Sequence, residues 1–84
     1  MNIVVSPNPA NDIVNISINT LEIGYHKLQI TDITGKLIYQ IDWFSKSNNE
    51  NKNIQLISNF SNGIYFINVY SPTLVLNKVL NVIR

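Results

Sequence analysis

The sequence predicts an all-β fold, a seven-stranded antiparallel sandwich of two sheets. Apolar residues recur mostly at every second position, which is the period of a half-buried strand, and β-branched residues are abundant, isoleucine above all. Turn-forming residues separate these apolar segments, and no stretch shows a convincing helical period. Short strands with turns between them are typical of an antiparallel sandwich.

The composition indicates one small folded domain. Of the 84 residues, 45% are hydrophobic and 13% are charged, which is too apolar and too weakly charged for a disordered segment. A chain of this length can bury one core but not two, so we expect a single domain spanning residues 1–84. The net charge is +1 and the charges are scattered, so no basic stripe for nucleic acid is present.

Neither cysteine content nor a targeting segment places the chain in a compartment. Cysteine is absent, which excludes a disulfide framework and thiolate metal ligands but fits any redox environment. The N-terminal "MNIVVSPNPA" lacks the basic start and continuous apolar stretch of a signal peptide, and no run is long enough to span a bilayer. Two interpretations stay open at this point: a cytosolic protein, or a piece of a larger one.

The first half of the chain predicts one alternating strand and one hairpin. In "IVNISIN", Val14, Ile16 and Ile18 alternate with polar residues. "HKLQITD" and "KLIYQIDW" predict the arms of a hairpin, because Asp32 and Gly35 of the intervening "DITG" suit the first and last places of a type I turn. From shared parity in the hairpin and in a later strand, we expect these side chains to be largely buried: Leu28, Ile30, Leu37, Tyr39, Ile41, Tyr65, Ile67 and Val69.

The second half predicts a loop and three further strands. The polar segment Ser45 to Asn53 is expected to be an exposed, mobile loop before a short strand around Ile54 to Ile57. "IYFINVYS" is apolar on both parities, as in a central strand covered on both sides. In the last strand, two alternating sets compete for the inward face: Leu74, Leu76, Leu80 and Val82 against Val75, Val79 and Ile83. The pattern does not decide between them, and a bulge near Asn77 and Lys78 could turn members of both sets inwards.

Gly63 and Tyr65 carry the most specific fold signal. In immunoglobulin-like sandwiches a tyrosine near the start of the sixth strand lies two residues before a cysteine and bonds back to nearby backbone. Tyr65 has this placement, with Ile67 at the cysteine position. We therefore expect a cysteine-free immunoglobulin-like sandwich, with Gly63 at a sharp strand entry that leaves little room for a side chain.

No constellation of residues suggests catalysis, a metal or a cofactor. The only histidine, His26, is expected at the surface or the rim of the sandwich, and no serine stands in a G-x-S-x-G elbow. The five acidic residues are spread out and form no calcium loop. Trp43 shares its parity with the hairpin core, whereas Phe44 on the other face is expected to be exposed. The chain is therefore not expected to be an enzyme.

The two prolines of the segment "SPNPAND" restrict its backbone conformation. Pro7 and Pro9 fix φ and remove two backbone donors, and each pushes its predecessor, Ser6 or Asn8, towards extended geometry. Strand pairing must stop here. From the residues alone, the segment is a stiff crossing from one sheet edge to the next.

Four blocks in order, "SPNPAND", "ITDITGKLIY", "SNGIYFINV" and "NKVLNVIR", resemble the type A C-terminal sorting domain of the type IX secretion system of Bacteroidetes. The family fold is a seven-stranded immunoglobulin-like sandwich. By this resemblance the sorting motif falls on Pro7, Asn8, Pro9, Gly63, Tyr65 and Lys78.

The resemblance implies a secretion signal at the C-terminal end of a larger protein, with "SPNPAND" marking where the cargo linker ends. The parent would enter the periplasm by general export under its own signal, then reach the cell surface or the medium. The implied partners are the type IX translocon, an outer-membrane shuttle protein and a sortase-like signal peptidase that commonly removes the domain. The domain itself would be a monomer without cofactor, direct membrane insertion or nucleic-acid partner.

Two alternatives remain. An immunoglobulin-like accessory module that binds carbohydrate or mediates adhesion would show exposed, coplanar aromatic rings in a groove. A purely structural spacer would tolerate loss of its last strand residues in a secretion assay. A buried Trp43 and a plain surface would argue against the binding module.

Overall fold

The computed structural model describes residues 2–19, 22–56 and 60–84, which form seven antiparallel β-strands and no helix. The two sheets have the orders β1-β2-β5 and β4-β3-β6-β7. This is the predicted all-β sandwich. The strands are β1 (Asn2–Ser6), β2 (Ile13–Asn19), β3 (Gly24–Asp32), β4 (Leu37–Ser45), β5 (Asn49–Gln55), β6 (Gly63–Tyr70) and β7 (Val75–Val82).

One core lies between the sheets and takes alternate side chains from each strand. Strand β2 contributes Val14, Ile16 and Ile18, and all three are fully buried. Full burial of such a side chain stabilises the fold by about 1.5–3 kcal/mol. The other sheet contributes, among others, Leu28, Ile30, Ile67, Val69 and Leu80.

The β3–β4 hairpin turns through "DITG" as predicted. The backbone N of Gly35 donates to the carbonyl of Asp32 at 3.0 Å, the bond of a four-residue turn. The Asp32 carboxylate accepts the backbone N–H groups of Thr34 and Lys36 and the Thr34 hydroxyl. The turn therefore satisfies its own donors without help from other strands.

A β-bulge in β4 overturns one burial prediction. Ile30 pairs with Tyr39 and Thr31 with Leu37, so Ile38 is an extra residue on its strand. The bulge reverses the parity beyond it: Ile38 packs against the core, and Leu37, predicted to be buried, is 48% exposed. Tyr39 is half-buried against the core, as is Ile41. The other five predicted core residues are buried, Leu28, Ile30, Tyr65, Ile67 and Val69.

The predicted loop from Ser45 to Asn53 is wrong, because most of it forms β5. This strand pairs with β2 along its whole length, and the Asn15 amide donates to the Asn53 side chain at 2.7 Å. Its outward side chains are amides in solvent, and its inward Glu50 and Lys52 are only half covered, so polar residues cost little there. The predicted strand end at Ile57 lies outside the described residues.

The structure shows which faces of β6 and β7 are covered by the core. β6 lies between β3 and β7, but only its inner face is covered; Ile64 is 48% exposed, which overturns the prediction of cover on both sides. In β7 the inward set is Leu76, Leu80 and Val82. The pairing of β7 with β6 is continuous from Val75 to Val82, so the proposed bulge near Asn77 and Lys78 is absent from this ladder.

Among the described residues, no helix is long and apolar enough to cross a membrane.

Candidate functional site

The opening segment lies along the outer edge of β7. The Asn8 side chain donates from Nδ2 to the Val79 carbonyl at 3.1 Å and accepts from the Asn81 backbone N at 3.0 Å. Ala10 continues the contact, since its N donates to the Asn81 carbonyl at 2.8 Å and its carbonyl accepts from Ile83 N at 2.9 Å. The segment therefore acts as a short substitute strand on this edge.

This contact answers what the proline-rich segment does in the fold. β1 ends at Ser6 in one sheet, the segment touches β7 of the other sheet, and the chain returns to β2 at Ile13. The predicted crossing from one sheet edge to the next is wrong in part, because the segment connects paired strands of one sheet and Ala10 pairs with the edge of the other on the way. The segment does not mark the start of the domain, however, because β1 precedes it, pairs with β2 and buries Ile3 in the core.

Gly63 stands at the first position of β6, opposite Val82. Its φ of +152° lies in a region that L residues rarely adopt. A Cβ built there would meet nothing within 4 Å, so the expectation of little room for a side chain is wrong. The constraint on Gly63 is therefore conformational rather than steric. On the far side of Val82, Ala10 forms a parallel bridge, so the glycine and the opening segment flank the same β7 residue.

Tyr65 makes the predicted corner. Its hydroxyl donates to the backbone carbonyl of Ser61 at 2.7 Å, and the residue is almost fully buried. Its ring packs on Phe60 with centroids 5.3 Å apart. The bond fixes the turn that leads into β6.

The last residue is tied to that same turn. The backbone N of Arg84 donates to Asn62 Oδ1 at 2.7 Å, and its Nη1 donates to the Phe60 carbonyl at 2.9 Å. An open groove of about 350 Å³ separates this turn from the "DITG" turn, and Asp32 and Lys36 line its other wall. All four sequence blocks therefore meet at one end of the sandwich.

Lys78 lies farther along β7, at the seam between the two sheets. It has the inward parity of Leu76 and Leu80, yet it is exposed, because the sandwich is open along this side. An open groove of about 320 Å³ between β1 and β7 is lined by both Lys78 and Asn8. Within the described residues Lys78 makes no ion pair.

The structure brings the sequence-predicted motif residues together on β7. Asn8 bonds to its edge, Gly63 pairs with its end, and Lys78 belongs to it. Tyr65 pairs with Leu80 of the same strand. Pro7 and Pro9 are exposed on either side of Asn8. Sequence reasoning missed Ala10 and Asn62, whose small or polar side chains give no signal without knowledge of their β7 partners.

His26 and Trp43 form a cluster away from this end. His26 is only 3% exposed, so the prediction of a surface or rim position is wrong. It stacks on the half-buried Trp43 at 5.4 Å between centroids, and its Nδ1 donates to the Gly24 carbonyl. The Lys52 ammonium lies 4.6 Å from the Trp43 ring centroid on a strand that was predicted as a loop. The imidazole is therefore a packing group here.

The described residues offer neither a metal centre nor a flat aromatic platform. They contain no group of three His, Cys, Asp or Glu side chains that could hold a metal ion. Phe44 is exposed as predicted, but its ring meets that of Tyr25 at 80°. Perpendicular rings do not make the coplanar surface on which a sugar stacks.

Comparison with known proteins identifies the family. A family model described as the secretion system C-terminal sorting domain matches residues 4–82. The chain belongs to the type IX secretion C-terminal sorting domains. This confirms the resemblance seen in the sequence, and it means that the chain carries a sorting signal for export by type IX secretion to the cell surface or beyond. The family is one of sorting signals and not of catalysts.

A solved structure supports the assignment. PorZ of Porphyromonas gingivalis, described as an essential bacterial surface component of the type IX secretion system, matches with a TM-score of 0.67 and 28% identity. The match covers 99% of this chain and 12% of the PorZ chain, so this chain corresponds to a small part of that protein. It agrees with the predicted immunoglobulin-like sandwich. A search of curated proteins gave no match.

Proposed function

We propose that this chain is a non-catalytic sorting signal at the C-terminal end of a larger secreted protein. The parent reaches the periplasm by general export, and the folded domain directs it across the outer membrane through the type IX translocon. An outer-membrane shuttle protein receives the domain, and a sortase-like signal peptidase then removes it. The observation that supports this proposal is the convergence of separated motif blocks on β7.

The motif residues divide by what they do in the fold. Asn8, Gly63 and Tyr65 hold the edge of β7 and the start of β6 through hydrogen bonds and backbone conformation. Lys78 is exposed and free to meet a partner. The signal is read as a folded surface, because Asn8, Gly63 and Tyr65 maintain the strand that a partner contacts.

Removal of the domain by a peptidase would have to occur before β1. Ile3 is buried in the core, and β1 is paired with β2 from Asn2 to Ser6. A protease needs an extended, accessible segment, which the strand does not offer while the domain is folded. We therefore propose that the cleaved bond lies in the linker from the cargo rather than within β1.

An export assay tests the proposal. A passenger with an N-terminal export signal and this chain at its C-terminus is expressed in a Bacteroidetes host with an intact type IX system and in a matched host without one. We expect surface or medium location in the first and periplasmic accumulation in the second. A passenger that stays periplasmic in the competent host, with the domain folded, would refute the sorting function and favour the accessory binding module.

Deleting Leu80 to Arg84 would be a less specific test of the sorting function. Leu80 and Val82 are buried in the core, so the truncation removes packing as well as any recognised surface. Single substitutions at exposed positions of β7 separate the two effects, and they also distinguish a signal from a structural spacer.

A further inference from the structure

One half of the β7 edge has hydrogen-bonding groups that no described strand satisfies. β7 is the last strand of its sheet. In an antiparallel strand, alternate residues direct both backbone groups to the same side. The bonds of Val79, Asn81 and Ile83 to the opening segment show that the odd-numbered residues face outwards. Val75 and Asn77 belong to the same set, and they lie beyond the reach of Asn8.

Open space flanks this free half on both sides. On the outer face a groove of about 530 Å³ is lined by Phe66, Asn68, Asn77, Lys78 and Val79. On the inner side lies the groove between β1 and β7 that Asn8 and Lys78 also line. Phe66 and Val79 are exposed apolar side chains, which an added strand could cover. The edge therefore has both backbone groups and apolar surface available.

β7 carries one charged side chain, Lys78, which makes no ion pair among the described residues. The Glu22 carboxylate at the turn before β7 is already engaged by Ser71 and Thr73. A charged side chain of inward parity on an edge strand discourages pairing with unrelated strands and with a second copy. A carboxylate placed opposite or diagonal to Lys78 would convert that penalty into an attraction. A carboxylate is therefore the side-chain chemistry that complements Lys78.

We propose that the free half of β7, from Val75 to Val79, accepts an extended segment of a partner protein as an added strand, with a carboxylate of that segment against Lys78. Strand addition of this kind takes affinity from backbone hydrogen bonds and specificity from side chains. The added strand is short, because the Asn8 side chain already occupies the edge at the Val79 carbonyl. This inference deepens the proposed function and rests on it, since the partner is the component that reads the sorting domain.

The first test removes one outward donor. Asn77→Pro deletes a backbone N–H that points away from β6, and proline is tolerated on the open side of an edge strand. Its control, Asn77→Thr, also loses the amide side chain but keeps the N–H. With both variants fused to the passenger in the competent host, we expect Asn77→Pro to lower export about tenfold, the effect of roughly one lost hydrogen bond, and Asn77→Thr, which keeps the N–H, to lower it clearly less.

The second test reverses the charge and stays informative if Asn77→Pro does not fold. Lys78→Glu should lower export about tenfold or more, because it sets two carboxylates against each other, and Lys78→Arg should not. Folding of each variant is checked by its melting temperature.

Three outcomes are distinguishable. If the unmodified fusion is not exported, the proposed function itself fails. If it is exported, and folded Asn77→Pro and Lys78→Glu are exported equally well, the added strand is refuted. If sedimentation shows that the unmodified chain dimerises and Asn77→Pro abolishes the dimer, the occupant is a second copy and the partner-strand proposal is wrong.

Discussion

The side chain of Asn8 accepts a hydrogen bond from the backbone N of Asn81 across 73 residues of sequence, at 3.0 Å. The same amide donates to the Val79 carbonyl. One side chain therefore copies the two bonds that a neighbouring strand would make to β7. A shorter or aliphatic residue cannot supply a donor and an acceptor at this spacing, which explains why an amide stands between the two prolines.

Asn8→Ala should reduce the free energy of unfolding by about 1 kcal/mol, because both bonds lie at an exposed edge where water partly replaces them. Urea denaturation monitored by circular dichroism measures this. Asn11→Ala, at a neighbouring exposed position, is the matched control and should change little. Equal effects at the two positions would show that the Asn8 bonds contribute nothing to stability.

Tyr65→Phe should also cost about 1 kcal/mol in free energy of unfolding. The substitution keeps the ring against Phe60 and removes only the hydroxyl that donates to Ser61. It leaves a carbonyl without its partner in a part-buried corner, which is the more costly way to lose a hydrogen bond. Tyr25→Phe removes an exposed hydroxyl and should be neutral. If the two variants unfold at the same urea concentration, the corner bond is not stabilising.

The two strand-entry glycines should respond differently to a methyl group. Gly63→Ala should destabilise by about 1–3 kcal/mol through backbone strain alone, since open space surrounds its Cβ position. Gly24→Ala should cost more, because φ is +137° and the new Cβ would lie 3.0 Å from Pro72 Cγ. A double-mutant cycle with Pro72→Ala should recover part of the loss at Gly24 and none at Gly63. Recovery at both positions would contradict this assignment of strain and clash.

Local sequence patterns were sufficient to predict the structure of a segment wherever a single physical rule determined it. The alternation of Val14, Ile16 and Ile18 determines the inward face of β2, and the Asp32 and Gly35 turn follows from local hydrogen bonding. The motif residues could be placed in the chain by resemblance. Their meeting on β7 could not be predicted, because contacts such as that between Asn8 and Asn81 leave no local pattern.

Three of the wrong predictions share one cause, which is tertiary context. The segment from Asn49 to Gln55 has weak strand character, but β2 supplies a complete backbone ladder for it. The bulge at Ile38 shifts the inward and outward alternation of β4, and no glycine or proline within the strand signals it. His26 is buried because Trp43 on the paired strand offers a ring to stack on. Each outcome depends on a neighbour that is distant in sequence or on a register that pattern alone does not determine.

The acid stability of the fold should depend on Glu22. Hydrogen bonds, first from the Ser71 hydroxyl and then from Thr73, hold the pKa of the Glu22 carboxyl below its usual 4.5. Because the folded-state pKa is the lower one, this contribution is complete above pH 4.5 and is lost as pH falls through the lowered value. We expect Ser71→Ala to move the NMR titration of Glu22 towards 4.5 and to flatten the loss of stability in that window. Titration of Glu22 at 4.5 or above in the unmodified chain would contradict this prediction.

Removing the charge of Lys78 should make the domain associate with itself. Lys78 has inward parity on an edge strand and makes no ion pair among the described residues. A strand that paired with β7 would remove water from its ammonium group, and this cost of desolvation opposes the pairing. In an antiparallel pair of two β7 edges, the two ammonium groups would be brought together, which like charges oppose. Lys78→Val removes this opposition and adds a β-branched side chain next to exposed Val79, so we expect concentration-dependent dimers in sedimentation velocity experiments.

Two control variants separate loss of the edge charge from loss of net charge. Lys78→Arg should remain monomeric. Lys27→Val loses the same charge from the central strand β3, whose two edges are already paired with β4 and β6, and it should stay monomeric too. Association of Lys27→Val to the same extent would mean that lost net charge, rather than an unguarded edge, drives the dimer.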